Sequence, residues 1–484
     1  MLDASEVAQH STKRSCWVII SNHVYDLTDF LENHPGGPNV ILRYAGKDAT
    51  NEYEPVHPAG TLQRHLPANK HLGPVDQSTL TRVDDTPPTL GKSESSIVPH
   101  ILVCQSLDDI ESAARQKLSR KAWVYYDSAA DGLHSFRTNR LDWAKISFRP
   151  RVLRNVARVN MQRRILGHVA NLPFFIAPAA MAKLGHQDGE LCLAKGAAEK
   201  NIVYCSSTYS SISHEELAPC FDRQEGRGAL SFQLYVPKNK GDSRALIERA
   251  KALGCKSLVI TVDTPVVGKR EEDDRYKAEL EIEEGREVPR TTSAANNEEA
   301  PILRGYHSST VDWDDILWMR NAWGSNQGPV VLKGIQTAED AYLASLTGVD
   351  GIYLSNHGGR QLDFAPSAIR TLLEIHKFYP QVLDDVEVYL DGGVRRGSDI
   401  VKALCLGARG VGLGRPFLYG LSAYGTEGVV KAIEILSDEI ETAMRLLGVT
   451  NLDQLNPHYV NCSLLAKELP ENVTPTNPMR QHKL

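Results

Sequence analysis

From residue 174 onward, eight short runs rich in β-branched and aromatic residues recur along the chain. They are FFIAP (174–178), IVYCSS (202–207), LSFQLYV (230–236), SLVITVD (257–263), VVLKG (330–334), GIYLSN (351–356), VEVYLDG (386–392) and GVGLGR (410–415). Between most of them lie stretches with apolar residues at three-to-four spacing, among them GELCLAKGAAEKN, DSRALIERAKALG, AEDAYLASLTG and GSDIVKALCLGA, often closed by Gly. Strands that alternate with helices pair in parallel, and eight such units predict a (β/α)8, or TIM, barrel. The 484 residues leave room for a second domain.

Residues 1–76 supply it, as a small unit with its own apolar segments CWVII (16–20) and VYDLTDFL (24–31). Residues 77–100, rich in Ser, Thr, Pro and charge without apolar periodicity, read as a linker. The barrel is expected over 101–465, and 466–484 as a C-terminal tail. The longest connection follows the fourth run and contains KREEDDRYKAELEIEEGREVPRTTSAANNEEA. Such a charge run reads as a solvated excursion, with a lid over the barrel mouth at 271–300 as the functional alternative.

A hydrophobic content of 42%, a charged content of 24% and a net charge of −6 fit a globular protein without the basic excess of a nucleic-acid binder. The eight cysteines are scattered, with no C-x-x-C pair and no His/Cys cluster at zinc spacing, which suggests reduced thiols in an intracellular protein. No run approaches the roughly 20 apolar residues of a membrane span. MLDASEVAQH is neither a signal core nor a transit peptide. The expected location is the cytoplasm if Met1 is the true start, with the mitochondrial intermembrane space as the alternative. The terminal RQHKL is a poor match to a peroxisomal signal.

In the N-terminal unit, His34 lies in ENHPGGPNVILRYAGKDAT and His57 in EYEPVHPAGTL. Each is followed by Pro, which fixes the chain direction beside the ring, and Gly36-Gly37 permits close backbone approach. With Trp17-Val18-Ile19, VYDLTDFL, HPGG and the second histidine, residues 6–76 resemble the cytochrome b5 family. The resemblance implies a small α+β domain in which His34 and His57 are the axial ligands of a b-type haem. No C-x-x-C-H motif is present to attach it covalently. A haem with both axial positions filled moves single electrons and activates no oxygen.

Barrel enzymes place their chemistry at the C-terminal ends of the strands. Those ends carry Gln233 and Tyr235, Thr261 and Asp263, Lys333, and then His357 and Arg360 within SNHGGRQLD. Arg360 can clamp a carboxylate bidentately while His357 takes a proton from the adjacent carbon or its hydroxyl. Asp263 would accept the other ring N–H and stabilise the imidazolium. Gly358 and Gly359 are expected to let backbone pass close to a flat cofactor. LDGGVRRG (390–397) and GLGRP (412–416) lie where barrels commonly bind phosphate. A Rossmann reading is discounted, because the third glycine spacing and the acidic residue downstream are missing.

Residues 101–465 carry AWVYYDSAADG, FRPRVL, PFFIAPAAM, FQLYV, TVDTPVVGKRE, VLKG, SNHGGRQLD, DGGVRRG and GRPFLYG. They resemble the FMN-dependent 2-hydroxy-acid dehydrogenases and oxidases. Joined to the haem domain in this order, they resemble the two-domain flavocytochromes of the L-lactate dehydrogenase (cytochrome) type. The resemblance implies that His357 is the base, Asp263 its partner and Arg360 the carboxylate clamp, with Tyr125 and Tyr235 facing the substrate and Arg270 close by. It implies Lys333 beside the flavin N1 and C2 carbonyl, and Ala179, Ala180, Ser206, Gln233 and Thr261 along the isoalloxazine. Asp391, Gly392, Gly393, Arg395, Gly414 and Arg415 would hold the rest of FMN, the two arginines its phosphate. A homotetramer is expected on the same ground, as is cytochrome c or another one-electron acceptor. Thr208 stands where relatives carry a tryptophan or a leucine, so a 2-hydroxy acid longer than lactate is expected to fit. Two competing readings are an oxidase that returns electrons to oxygen and a non-catalytic haem protein on a decayed barrel.

Overall fold

The computed structural model describes residues 1–34, 37–58, 60–79, 98–221, 226–285 and 307–473. Most of the expected linker, the second half of the 271–300 segment and the end of the C-terminal tail lie outside the described residues. The chain divides into two units, with the change near residue 98.

The first unit is built on a four-stranded antiparallel sheet, Ser11–Thr12, Ser15–Ile20, His23–Asp26 and His71–Pro74, paired in that order. Ser21 and Asn22 join the second and third strands with φ of 48° and 63°. Positive φ at both positions of a two-residue turn matches the twist of the flanking strands. One sheet face packs Val18, Ile20, Tyr25 and Leu27 against Leu31, Ile41 and Leu66, with Phe30, Leu42, Tyr53 and Leu62 only partly covered at its edge.

The second unit is the expected barrel. Its parallel strands are β1 (Phe174–Ile176), β2 (Val203–Ser207), β3 (Ala229–Tyr235), β4 (Leu258–Thr261), β5 (Val330–Ile335), β6 (Gly351–Leu354), β7 (Glu387–Leu390) and β8 (Gly410–Leu413). They pair in chain order, and β8 closes on β1. The interior is filled by Phe175, Val203, Cys205, Val259, Val331, Tyr353 and Tyr389. Phe175 meets the two tyrosines edge-on, the arrangement that ring quadrupoles favour. A hairpin of Arg163–Ile165 and His168–Ala170 plugs the N-terminal end, sending Ile165 and Leu166 into that core. The opposite end is left for chemistry.

Two features of the connections bear on that end. The register of β5 against β6 shifts between Lys333 and Ile335, around Gly334 with φ of 110°. The charged excursion after β4 begins as a helix, Glu271–Glu283, with four acidic residues in its first turn facing the positive end of the helix dipole. A second helix, Trp313–Trp323, opens on a capping box from Asp312 and Asp315 and leads back to β5.

Candidate active site and haem site

The turn after β6 sets the position of His357. Asn356 caps it by accepting the Gly359 N–H at 3.0 Å, and Asn356 is itself locked by a reciprocal, buried amide pair with Asn139, 2.8 Å in each direction. His357, Gly358 and Gly359 then run through positive φ in succession. A side chain at Gly359 would place Cβ 2.7 Å from the Phe136 backbone nitrogen. Gly359 is pressed against Phe136, and Gly358 lies beside the Arg415 guanidinium. The glycines allow a left-handed turn pressed against the helix His134–Ala144, which lies ahead of the barrel strands in sequence.

That turn aims the imidazole across the barrel mouth. Nδ1 lies 3.0 and 3.2 Å from the two oxygens of Asp263, and Nε2 lies 3.1 Å from the Tyr235 hydroxyl. Burial pulls the His357 pKa below its ordinary value, against the opposing pull of the Asp263 charge. At Asp263 burial raises the pKa, but the charge and hydrogen bond of His357 outweigh it and the net shift is downward. The pair at neutral pH is a carboxylate beside a neutral imidazole whose proton is held on Nδ1. Nε2 is left to act as a base.

Next to this base sit two cations. Arg360 spends Nη1 on the carbonyls of Tyr125 and Ser128, at 3.0 and 2.8 Å, and its guanidinium lies over the Tyr125 ring. Its Nε and Nη2 have no hydrogen-bond partner among the described residues, which leaves the edge that grips a carboxylate. Burial first, and the Arg270 charge second, lower the Arg360 pKa to about 9. Arg270 precedes the Glu271–Glu283 helix, and its Nε is buried with no partner among the described residues. The buried, unpartnered Nε of Arg270 costs free energy unless an anion joins it, and the open edge of Arg360 offers that anion a second pair of donors.

Deeper in the mouth, Lys333 is almost fully buried, donating to Ser355 Oγ at 2.8 Å, with Asp391 Oδ2 at 3.4 Å. Gln233 donates to Thr261 Oγ1 at 2.8 Å, the Ser206 hydroxyl is buried without a described partner, and Ala179 and Ala180 are half-buried just past β1. The long helix Arg415–Leu447 starts at Gly414 with no side-chain cap, and a Cβ at Gly414 would meet nothing within 4 Å. Uncapped N–H groups opening on clear space suit the phosphate of FMN, and the unpartnered Ser206 hydroxyl suits a polar atom of a flavin ring. Gly392 and Gly393 rest on Asn139, and the Gly392 carbonyl accepts from the Trp143 indole at 2.9 Å.

The two arginines expected on the phosphate are both engaged by protein oxygens. Arg395 is paired with Asp108 at 2.7 Å and Glu111 at 2.6 Å, and its Nη1 alone has no described partner. Arg415 donates to the carbonyls of Tyr126, Ser128 and Gly358. Sequence reasoning passed over Ser355, Asn356 and Asn139, which hold Lys333 and His357 in place. Ser355 and Asn356 stood inside a quoted motif, but Asn139 is brought to them only by the tertiary fold.

In the first unit, the His34 and His57 rings face each other with centroids 6.0 Å apart. With metal–imidazole bonds of about 2 Å, a centroid spacing of 6.0 Å leaves room for one metal ion between the two rings, so the pair would suit a haem iron. Each Nδ1 meets a backbone carbonyl, Gly37 at 3.2 Å and Tyr53 at 3.1 Å, which holds the proton there and the lone pair on Nε2. Burial lowers both pKa values, that of His57 to about 4, so both rings are neutral and able to ligate. Tyr53 stacks on His57, and Phe30, Leu42 and Leu62 supply an apolar edge for a porphyrin.

Residues 114–462 match the FMN-dependent dehydrogenase family and residues 3–76 the cytochrome b5-like heme/steroid binding domain, so the chain belongs to the FMN-dependent dehydrogenases and carries a haem domain before the barrel. The enzyme's cofactors are FMN and a b-type haem. It is 40% identical over 464 residues to L-lactate dehydrogenase (cytochrome) of Wickerhamomyces anomalus, which spans 94% of this chain and 79% of that one. A glycolate oxidase of Oryza sativa subsp. japonica is 37% identical but matches only 73% of this chain. Among solved structures, a flavocytochrome b2 variant with pyruvate bound superimposes with a TM-score of 0.69 at 36% identity, covering 80% of this chain and 93% of its own.

Proposed function

We propose that this enzyme oxidises an L-2-hydroxy acid, lactate or a longer analogue, to the 2-oxo acid and delivers the electrons to an external one-electron acceptor such as cytochrome c. The observation that carries the reading is a neutral imidazole backed by a buried carboxylate, set beside two guanidinium groups with uncommitted donors. FMN supplies the two-electron acceptor for the barrel, and the haem supplies the one-electron carrier that follows it.

The residues divide the work. Arg360, with Arg270, binds the substrate carboxylate and fixes the 2-carbon against His357 Nε2. The imidazole takes the proton that leaves the substrate, and Asp263 stabilises the imidazolium. Tyr235 orients the substrate hydroxyl and Tyr125 forms the floor under Arg360. Lys333 sets a positive charge where negative charge develops on reduction. Ala179, Ala180, Ser206, Gln233 and Thr261 would line the flavin, and Asp391, Gly392, Gly393, Arg395, Gly414 and Arg415 would hold the rest of FMN. His34 and His57 hold the haem iron.

Thr208 bears on chain length. Its hydroxyl donates to the Gln233 carbonyl at 2.6 Å and accepts from Tyr235 N–H at 3.0 Å. Tied to the β3 backbone in this way, it presents little more than a methyl group to the mouth. Activity on 2-hydroxy acids of four to eight carbons is expected to exceed that on lactate by a factor equivalent to about 1 to 3 kcal/mol.

The reading is tested by mixing the holoenzyme anaerobically with L-lactate and L-2-hydroxyisocaproate and following flavin bleaching and the reduced-haem bands separately. Haem reduction that keeps pace with flavin bleaching supports the relay. Flavin bleaching with haem left oxidised would mean an oxidase, a reading not favoured because the oxidase relative matches 73% of this chain whereas L-lactate dehydrogenase (cytochrome) matches 94%. Homotetramer formation is part of the proposal, supported by Val152, Leu153 and Leu446, which are 81%, 101% and 71% exposed. Mass photometry would check it. A cytoplasmic setting fits eight cysteines without a disulfide, and cell fractionation would test it.

A further inference from the structure

A second histidine stands one ring away from the base. His307 returns the chain from the long excursion after β4, and its backbone is pinned to the exit of β3 by a bridge to Pro237 and by the Ser308 N–H on the Val236 carbonyl at 2.8 Å. Its ring lies 4.4 Å from that of Tyr235 and 5.7 Å from that of Tyr209, while Tyr209 and Tyr235 stack at 5.4 Å. The three rings form one cluster, and Tyr235 carries its hydroxyl from there to His357 Nε2. Thr208 joins the cluster through its bond to the Tyr235 backbone.

The mechanism proposed above does not use His307, yet the residue is only 8% exposed. Burial, with a smaller push from His357, lowers its pKa to about 4, so the ring is neutral and carries one donor and one acceptor nitrogen. Nδ1 has a long contact with the Tyr209 hydroxyl at 3.5 Å. Nε2 makes no hydrogen bond to a described residue. A hydrophobic side chain would line such a wall without the cost of desolvating a polar ring, a cost that a hydrogen-bonding ligand offsets. A wall of this kind discriminates strongly when a ligand completes it.

We infer that His307 is a specificity-determining residue: with Tyr209 and Thr208 it walls the place of the substrate's 2-substituent and selects 2-hydroxy acids whose substituent carries a hydrogen-bonding oxygen. The inference rests on the function proposed above. The carboxylate of such a substrate is held on the Arg360 side, and its 2-carbon meets His357 and the Tyr235 hydroxyl. The remaining substituent extends past the Tyr235 ring toward Thr208 and the uncommitted Nε2 of His307. The small Thr208 provides space there and His307 provides polarity.

L-glycerate and L-2-hydroxybutanoate test this, because they have the same number of non-hydrogen atoms and differ by a hydroxyl in place of a methyl. The rate of anaerobic flavin bleaching per unit substrate concentration is measured for both, with L-lactate as a reference, in the wild-type holoenzyme, His307→Leu and His307→Gln. The wild type is expected to favour glycerate by at least about tenfold. His307→Leu should bring the ratio to about one or invert it, and His307→Gln should retain part of the preference. The ratio is insensitive to a loss of rate shared by both substrates. An unchanged ratio in His307→Leu, or a wild type that favours 2-hydroxybutanoate, overturns the inference. Absence of flavin bleaching with all three acids in the wild type would overturn the proposed function itself.

Discussion

Asp263 holds His357 with both carboxylate oxygens, 3.0 and 3.2 Å from a single ring nitrogen. A carboxylate that straddles the N–H in this way fixes the tautomer and has little freedom to leave it. Asp263→Asn would still hydrogen-bond but could present its N–H₂ to Nδ1 and reverse the tautomer. Flavin reduction by substrate should fall by about 10²- to 10⁴-fold while the flavin spectrum of the oxidised enzyme is retained, as read by rapid-mixing absorbance.

The pH dependence follows from the direction of the His357 shift. Burial lowers its pKa from 6.5, so Nε2 is unprotonated above that value, and the rate of flavin reduction should be flat there and fall as the pH drops further. Because the Asp263 charge opposes this lowering, Asp263→Asn should move the acid limb to still lower pH. Movement of the limb to higher pH in the variant would contradict the assignment.

Lys333 is a buried cation shared between Ser355 and Asp391. Lys333→Met removes the charge and leaves the Asp391 carboxylate without its counter-ion. Flavin reduction should slow by about 10²- to 10³-fold, and the flavin midpoint potential should fall, as measured by equilibrium titration against redox dyes.

For the first unit, His57→Ala removes one of two opposed imidazoles. The spectrum of a six-coordinate haem should disappear and cytochrome c reduction should fall by at least about tenfold, whereas substrate should still bleach the flavin. Loss of flavin bleaching together with the haem bands would show that the electron path had been misread.

Gly359→Ala tests the turn that carries the base. The added methyl would meet Phe136 nitrogen at 2.7 Å from a backbone with φ of 78°. Stability should drop by about 1 to 3 kcal/mol, seen as a lowered midpoint in urea.

Much of this architecture was legible because the barrel repeats one signal. All eight runs became strands, and the four amphipathic segments quoted between them became helices. Residues at strand ends were readable for the same reason, since the fold fixes where a strand ends. The helix Glu271–Glu283 was not, because nine of its thirteen residues are charged and no apolar stripe betrays it. Arg395 and Arg415 show a different limit. Their neighbours Asp108, Glu111 and the carbonyls of residues 126 and 128 lie far away in the chain, and no local spacing announces them. His307 went unremarked because nothing in its flanking sequence sets it apart until the excursion folds back onto β3.

The register shift around Gly334 places that residue beside the partner of the base. A Cβ at 334 would lie 2.6 Å from Asp263 Cβ, so the strand that presents the lysine also carves the niche in which the carboxylate stands. Acid–base function is thereby wired to a position with no chemistry of its own. In a saturation library at 334, scored for turnover, only glycine should survive, even though every ionisable group of the site would be intact in each failed clone.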